Sequence, residues 1–95
     1  MMAHYTEEEL KNLGLKSYGE NVLISKDARI YSPHKVTIGN DVRIDDFCII
    51  SGDVTIGNNV FFAPGVQIAA GAGSIILNDF ATLAFNVVIT ASSDD

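Results

Sequence analysis

The chain has 95 residues, a net charge of −6, 47% hydrophobic residues and one cysteine. This length allows one small domain, and the acidic balance without a basic stripe argues against nucleic acid and an anionic membrane surface as partners. No apolar run approaches the roughly 20 residues of a membrane span, no signal-peptide pattern opens the chain, and one cysteine permits no internal disulfide, so the expected location is a reducing cytoplasm.

The chain opens with Thr6-Glu7-Glu8-Glu9, a capping box in which the Thr6 hydroxyl and the Glu9 carboxylate satisfy exposed amides at a helix start. Tyr5 and Leu10 are placed as a hydrophobic staple, and Gly14 ends the helix after about two turns. A helix this short needs tertiary support. Leu10, Leu13 and Leu15 are expected to cover the open N-terminal end of the coil built by the rest of the chain.

Residues 36 to 68 are strictly periodic. Ile38, Ile44, Ile50, Ile56, Phe62 and Ile68 are spaced by six, each preceded two residues earlier by Val36, Val42, Cys48, Val54, Val60 or Val66. Side chains alternate across a strand, so both apolar residues of each triplet point inward and the middle one outward. Corners such as Gly39-Asn40-Asp41 and Gly57-Asn58-Asn59 supply residues that tolerate positive φ. Short strands with a corner every six residues make a three-sided coil with an 18-residue turn, a β-solenoid. Cys48 then reads as a buried small hydrophobe.

Val22-Leu23-Ile24 and Ala28-Arg29-Ile30 are the first triplets, and the Tyr31–Lys35 corner carries two extra residues, among them Pro33 and His34. His34 is a candidate base in a solvated loop. After Ile68 the register breaks at Ala69-Ala70-Gly71-Ala72-Gly73-Ser74, a turn-like stretch. It lacks the lysine and the helix of a phosphate loop. The pattern resumes with Leu77, Leu83 and Ile89 as the large inward residues. A one-residue shift would turn Thr82 and Asn86 inward and is rejected. Phe80 and Phe85 then fall at corners, and Ile49, Phe61 and Val88 are outward apolar residues.

The repeats Ile38-Gly39-Asn40-Asp41-Val42 and Ile56-Gly57-Asn58-Asn59-Val60 resemble the hexapeptide-repeat acyltransferases. The resemblance implies an all-β, three-sided, left-handed parallel β-helix with a short N-terminal capping α-helix. Residues 1–21 would form the arm and cap, and 22–95 a β-helix incomplete at its C-terminal end. The Tyr5–Leu15 opening, the Gly19-Glu20-Asn21-Val22 lead-in and the broken turn look most like galactoside- and maltose-type sugar acetyltransferases. Such enzymes move an acetyl group from acetyl-CoA to a sugar hydroxyl or amine. A histidine acts as general base and backbone amides stabilise the oxyanion.

Carried onto this sequence, the family histidine position falls at Asp94, within Ser92-Ser93-Asp94-Asp95. An aspartate of ordinary pKa, near ~3.9, is a poor base for an alcohol. Asp94 and His34 are the catalytic candidates, and Asn86, Ser92 and Ser93 the substrate-binding ones. The resemblance also implies a homotrimer, with Ile49, Phe61 and Phe85 as interface candidates. All six basic residues lie at or before Arg43, whereas CoA phosphates are usually met by Lys or Arg. The chain therefore looks like the N-terminal, acceptor-side part of an acyltransferase, a truncated product or an engineered fragment, with association end to end through its last turn. The competing function is a non-catalytic trimeric scaffold. A metal site of the γ-carbonic-anhydrase type needs three histidines, and only His4 and His34 exist.

Overall fold

The six-residue repeat is built as short parallel strands in the computed structural model, which describes residues 3–91. Helix α1 spans Glu7–Lys11. The strands are β1 (Ser17–Tyr18), β2 (Val22–Ile24), β3 (Arg29–Tyr31), β4 (Val36–Ile38) and β5 (Val42–Ile44). They continue as β6 (Ile49–Ile56), β7 (Phe61–Phe62), β8 (Gln67–Leu77), β9 (Thr82–Leu83) and β10 (Val88–Thr90). Three faces result. The first stacks β1, β4 and the second halves of β6 and β8. The second stacks β2, β5, β7 and β9. The third stacks β3, the first halves of β6 and β8, and β10. Each face holds one strand from each of four turns, and every pairing between these strands is parallel. This is the three-sided β-helix expected from the repeat, and it agrees with left-handed winding.

The core is the inward set. Ile24, Ile44, Phe62 and Leu83 stack in register on the second face. Ile44, Ile50, Phe62, Ile68 and Cys48 are fully buried. The Cys48 thiol sits 3.2 Å from the Ala63 carbonyl, and burial pushes its pKa up. Thr82 and Asn86 are exposed, as the chosen register requires. The capping box forms as expected: Thr6 N–H donates to Glu9 Oε1 at 2.8 Å and Glu9 N–H to Thr6 Oγ1 at 3.2 Å. Leu10 is buried at the end of the core, with Tyr5, Leu13 and Leu15 packed beside it.

Two expectations change. Ala69–Ser74 is not a free turn, because β8 runs through it and Ala70 is fully buried. The outward apolar set also includes Leu23 and Ile76, both exposed.

The corners form three columns of positive φ. Asn21, Asp41, Asn59 and Phe80 occupy the first edge, between the first and second faces. Phe47, Gly65 and Asn86 occupy the second edge, and Ser32, Gly52 and Gly71 the third. On the first edge, Glu20 N–H donates to Asn40 Oδ1, Asn40 N–H to Asn58 Oδ1, and Asn58 N–H to Asp79 Oδ1, at 2.7–2.8 Å. This ladder explains the glycines beneath it: a Cβ on Gly39 would lie 2.5 Å from Asn58 Oδ1.

Candidate functional site

The regular turn of the coil is 18 residues, as from Val36 to its partner Val54. It is broken twice, and both breaks fall on the third edge. The first is the corner after β3, where a 3₁₀ turn at Pro33–Lys35 follows Ser32, itself at φ 53°. The second is in β8. There Ser51 pairs with Ala69 and Asp53 with Ser74, so Ala70–Gly73 stand opposite Gly52 alone. Three extra residues are therefore accommodated as a bulge, and Gly71 at φ 59° makes its bend.

Between the two breaks lies a pocket of about 270 Å³ lined by Lys16, His34, Lys35, Asp53 and the Gly71–Gly73 backbone. Lys16 is fastened to the first break, because its N–H donates to the carbonyls of Pro33 (3.1 Å) and Val36 (3.0 Å). His34, Lys35 and Asp53 are exposed. The chain returns to this edge after β10, where Ala91 N–H donates to the Ala69 carbonyl at 3.1 Å. Ser92, Ser93 and Asp94 come next in sequence and lie outside the described residues.

The structure puts the remaining candidates elsewhere. Asn86 stands on the second edge at φ 61°, its N–H donating to the Pro64 carbonyl. Its side chain lies over Gly65, where a Cβ would clash with Asn86 Oδ1. Asn86 and His34 are thus on different edges. Phe61 on the second face and Ile49 on the third are half-buried, while Phe85 at the second edge between them is exposed. The Arg43 guanidinium lies 5.9 Å from the centre of the Phe61 ring and donates to Asp45 at 2.8 Å. Among the described residues no group of three or more His, Cys, Asp or Glu is placed to hold a metal, and no helix is long and apolar enough to cross a membrane.

A second pocket, of about 360 Å³, is lined by Lys26, Arg29 and Phe47 among others. Its lysine is held 3.2 Å from Glu9, and the Thr6 amide together with this lysine lowers the Glu9 pKa.

Sequence reasoning named His34 but missed Lys16, Lys35 and Asp53. The available signal was arithmetic. Counted against the 18-residue turn, the two insertions land on the same edge.

Residues 35–70 match the model of the bacterial transferase hexapeptide (six repeats). A dTDP-4-amino-4,6-dideoxy-D-glucose acyltransferase of Escherichia coli is 40% identical over 96 residues, covering 98% of this chain and 50% of that protein. AntD, an N-acyltransferase from Bacillus cereus, has been solved as a serine-to-threonine variant with dTDP and coenzyme A. It matches with a TM-score of 0.94 and 47% identity, covering 100% of this chain and 51% of AntD. The AntD complex with dTDP and 3-hydroxybutyryl-CoA gives a TM-score of 0.84 and 51% identity, covering 86% and 44%. The chain spans about half the length of these relatives. Residues 35–70 thus carry the hexapeptide repeat of bacterial transferases, and the chain is similar along its length to sugar N-acyltransferases.

Proposed function

We propose that this chain forms the acceptor-side half of a CoA-dependent N-acyltransferase that acylates the amino group of a nucleotide-linked sugar. The observation that carries this reading is 47% identity, over the whole chain, to an N-acyltransferase bound to dTDP and coenzyme A. The residues after Arg43 include no Lys or Arg to meet the CoA phosphates. The turns after Arg43 are therefore assigned to the acceptor rather than to CoA.

An amine acceptor also accounts for the missing histidine. A neutral amine attacks the thioester carbonyl without prior deprotonation. The proton to be removed then sits on the positively charged nitrogen of the tetrahedral intermediate, where it is far more acidic than an alcohol proton. A carboxylate of ordinary pKa, near ~3.9, can accept it. We assign that role to Asp94, with Ser92 and Ser93 beside it in sequence. The N–C bond forms, the C–S bond breaks, and the proton passes through the carboxylate to the departing CoA thiolate. AntD has been crystallised with an aspartate replaced by alanine or by asparagine. The active form proposed is a cytoplasmic homotrimer that buries Ile49, Phe61 and Phe85 between copies.

The test is thiol release by the protein expressed from its complete reading frame. With acetyl-CoA or 3-hydroxybutyryl-CoA, release is expected only when dTDP-4-amino-4,6-dideoxyglucose is added. Asp94→Asn is expected to lower it by roughly 10²–10⁴-fold. Light scattering on the same preparation is expected to give a trimer mass. Turnover with galactosides or maltose but not with the amino sugar would overturn the assignment. A monomer that turns over would remove the interface.

A further inference from the structure

The pocket on the third edge has a positive balance within an acidic chain; the pocket at Lys26 and Arg29 also pairs two basic residues with one carboxylate, Asp27, but its lysine is already held by Glu9. The chain carries −6 overall, yet two of its six basic residues, Lys16 and Lys35, line this one pocket beside His34. Asp53 is the only carboxylate among the described residues that line it. Among the described residues the ion pairs are Lys26–Glu9 and Arg43–Asp45, so both pocket lysines are without an acidic partner there. The opposite wall is Gly71-Ala72-Gly73, whose own side chains are no larger than a methyl. Backbone amides in such a bend are available to an anion.

The size of the pocket limits what it holds. Binding sites for whole small molecules usually enclose about 300–1,000 Å³. At about 270 Å³, this one fits part of a larger ligand. We infer that it is a subsite for a phosphoryl anion, the diphosphate of the sugar nucleotide. The inference rests on the proposed function for the identity of that ligand. The pocket and its charge stand without it.

The arrangement escapes motif searches for a physical reason. The glycine-rich stretch has no lysine of its own. Its cations arrive from the first coil, through Lys16 ahead of β1 and Lys35 ahead of β4, and only the stacking of turns brings them to Gly71–Gly73. The same edge receives Ala91 against Ala69, three residues before Asp94 in sequence.

The experiment is calorimetric titration of the full-length protein with dTDP, inorganic pyrophosphate and CoA separately. It compares wild type with Lys16→Gln, Lys35→Gln, the double variant and a Lys11→Gln control on α1. The expected result is a loss of about tenfold in dTDP affinity per pocket lysine and roughly a hundredfold for the pair. A parallel loss for pyrophosphate, unchanged CoA binding and an unaffected control are expected with it. Added salt should weaken dTDP binding to wild type more than to the double variant. Unchanged dTDP and pyrophosphate affinity in the double variant overturns the subsite, even if amino-sugar acylation proceeds. Loss confined to CoA overturns its assignment to the sugar nucleotide. Lysine-dependent pyrophosphate binding without any acyl transfer upholds the subsite and removes the proposed function instead.

Discussion

Along the first edge, Asn40, Asn58 and Asp79 each accept a backbone N–H from the turn before, and every corner there has three residues, as in 19–21, 39–41, 57–59 and 78–80. Along the third edge the corners differ: 31–35, 51–53 and 69–74 have five, three and six residues between the inward triplets. The first edge is tied by side chains that reach the neighbouring turn, so adding a residue would break a ladder. The third edge is held by backbone pairing on either side of it, and it can lengthen outward into solvent. Insertions in a solenoid therefore collect on the edge that is free of side-chain ladders, and that edge is where a pocket can form.

The comparison can be broken in order of expected effect. Both edges rest on the same core, so the largest loss should come from Phe62, stacked between Ile44 and Leu83 and fully buried. Phe62→Ala should cost about 3–5 kcal/mol in urea unfolding. A cost under about 1 kcal/mol would contradict the inward register.

Next comes the tied edge. A Cβ on Gly39 would meet Asn58 Oδ1 at 2.5 Å and the Gly57 carbonyl oxygen at 2.7 Å. The backbone oxygen cannot swing aside, so Gly39→Ala should lower stability by about 1–3 kcal/mol. An unchanged urea midpoint would mean that the ladder is slack.

The smallest effect belongs to the free edge. One glycine inserted after Ala72, in the exposed bulge, should change the unfolding free energy by less than about 0.5 kcal/mol. Doubling a loop costs only about 0.6 kcal/mol in closure entropy. A loss as large as that of Gly39→Ala would erase the distinction between the two edges.

The capping box, the inward triplets and the corner glycines were legible because each rests on a local rule. Thr6 and Glu9 are three residues apart, and Ile38, Ile44 and Ile50 recur at six. Strand alternation converts that spacing into burial without knowledge of the partner. The stack of Ile24, Ile44, Phe62 and Leu83 emerges once the turn length is counted. Ala69–Ser74 was harder, because small residues and glycines read as a turn in isolation. Ala69 and Ser74 pair with β6 at either end of the stretch, and Ala70 between them is buried.

The site was less legible for a related reason. His34 could be named because histidine is rare and chemically active. Lys16, Lys35 and Asp53 could not, since each looks like an ordinary solvated charge in its own triplet or corner. The sequence by itself determined the repeat, its three faces and its buried set, because a period is a property of one dimension. The tertiary structure alone decided that insertions separated by more than 30 residues share an edge, and that two lysines of the first coil face a lysine-free bulge in a later one. Proximity between turns depends on how many residues each corner holds, and every inserted residue moves the register of each later turn.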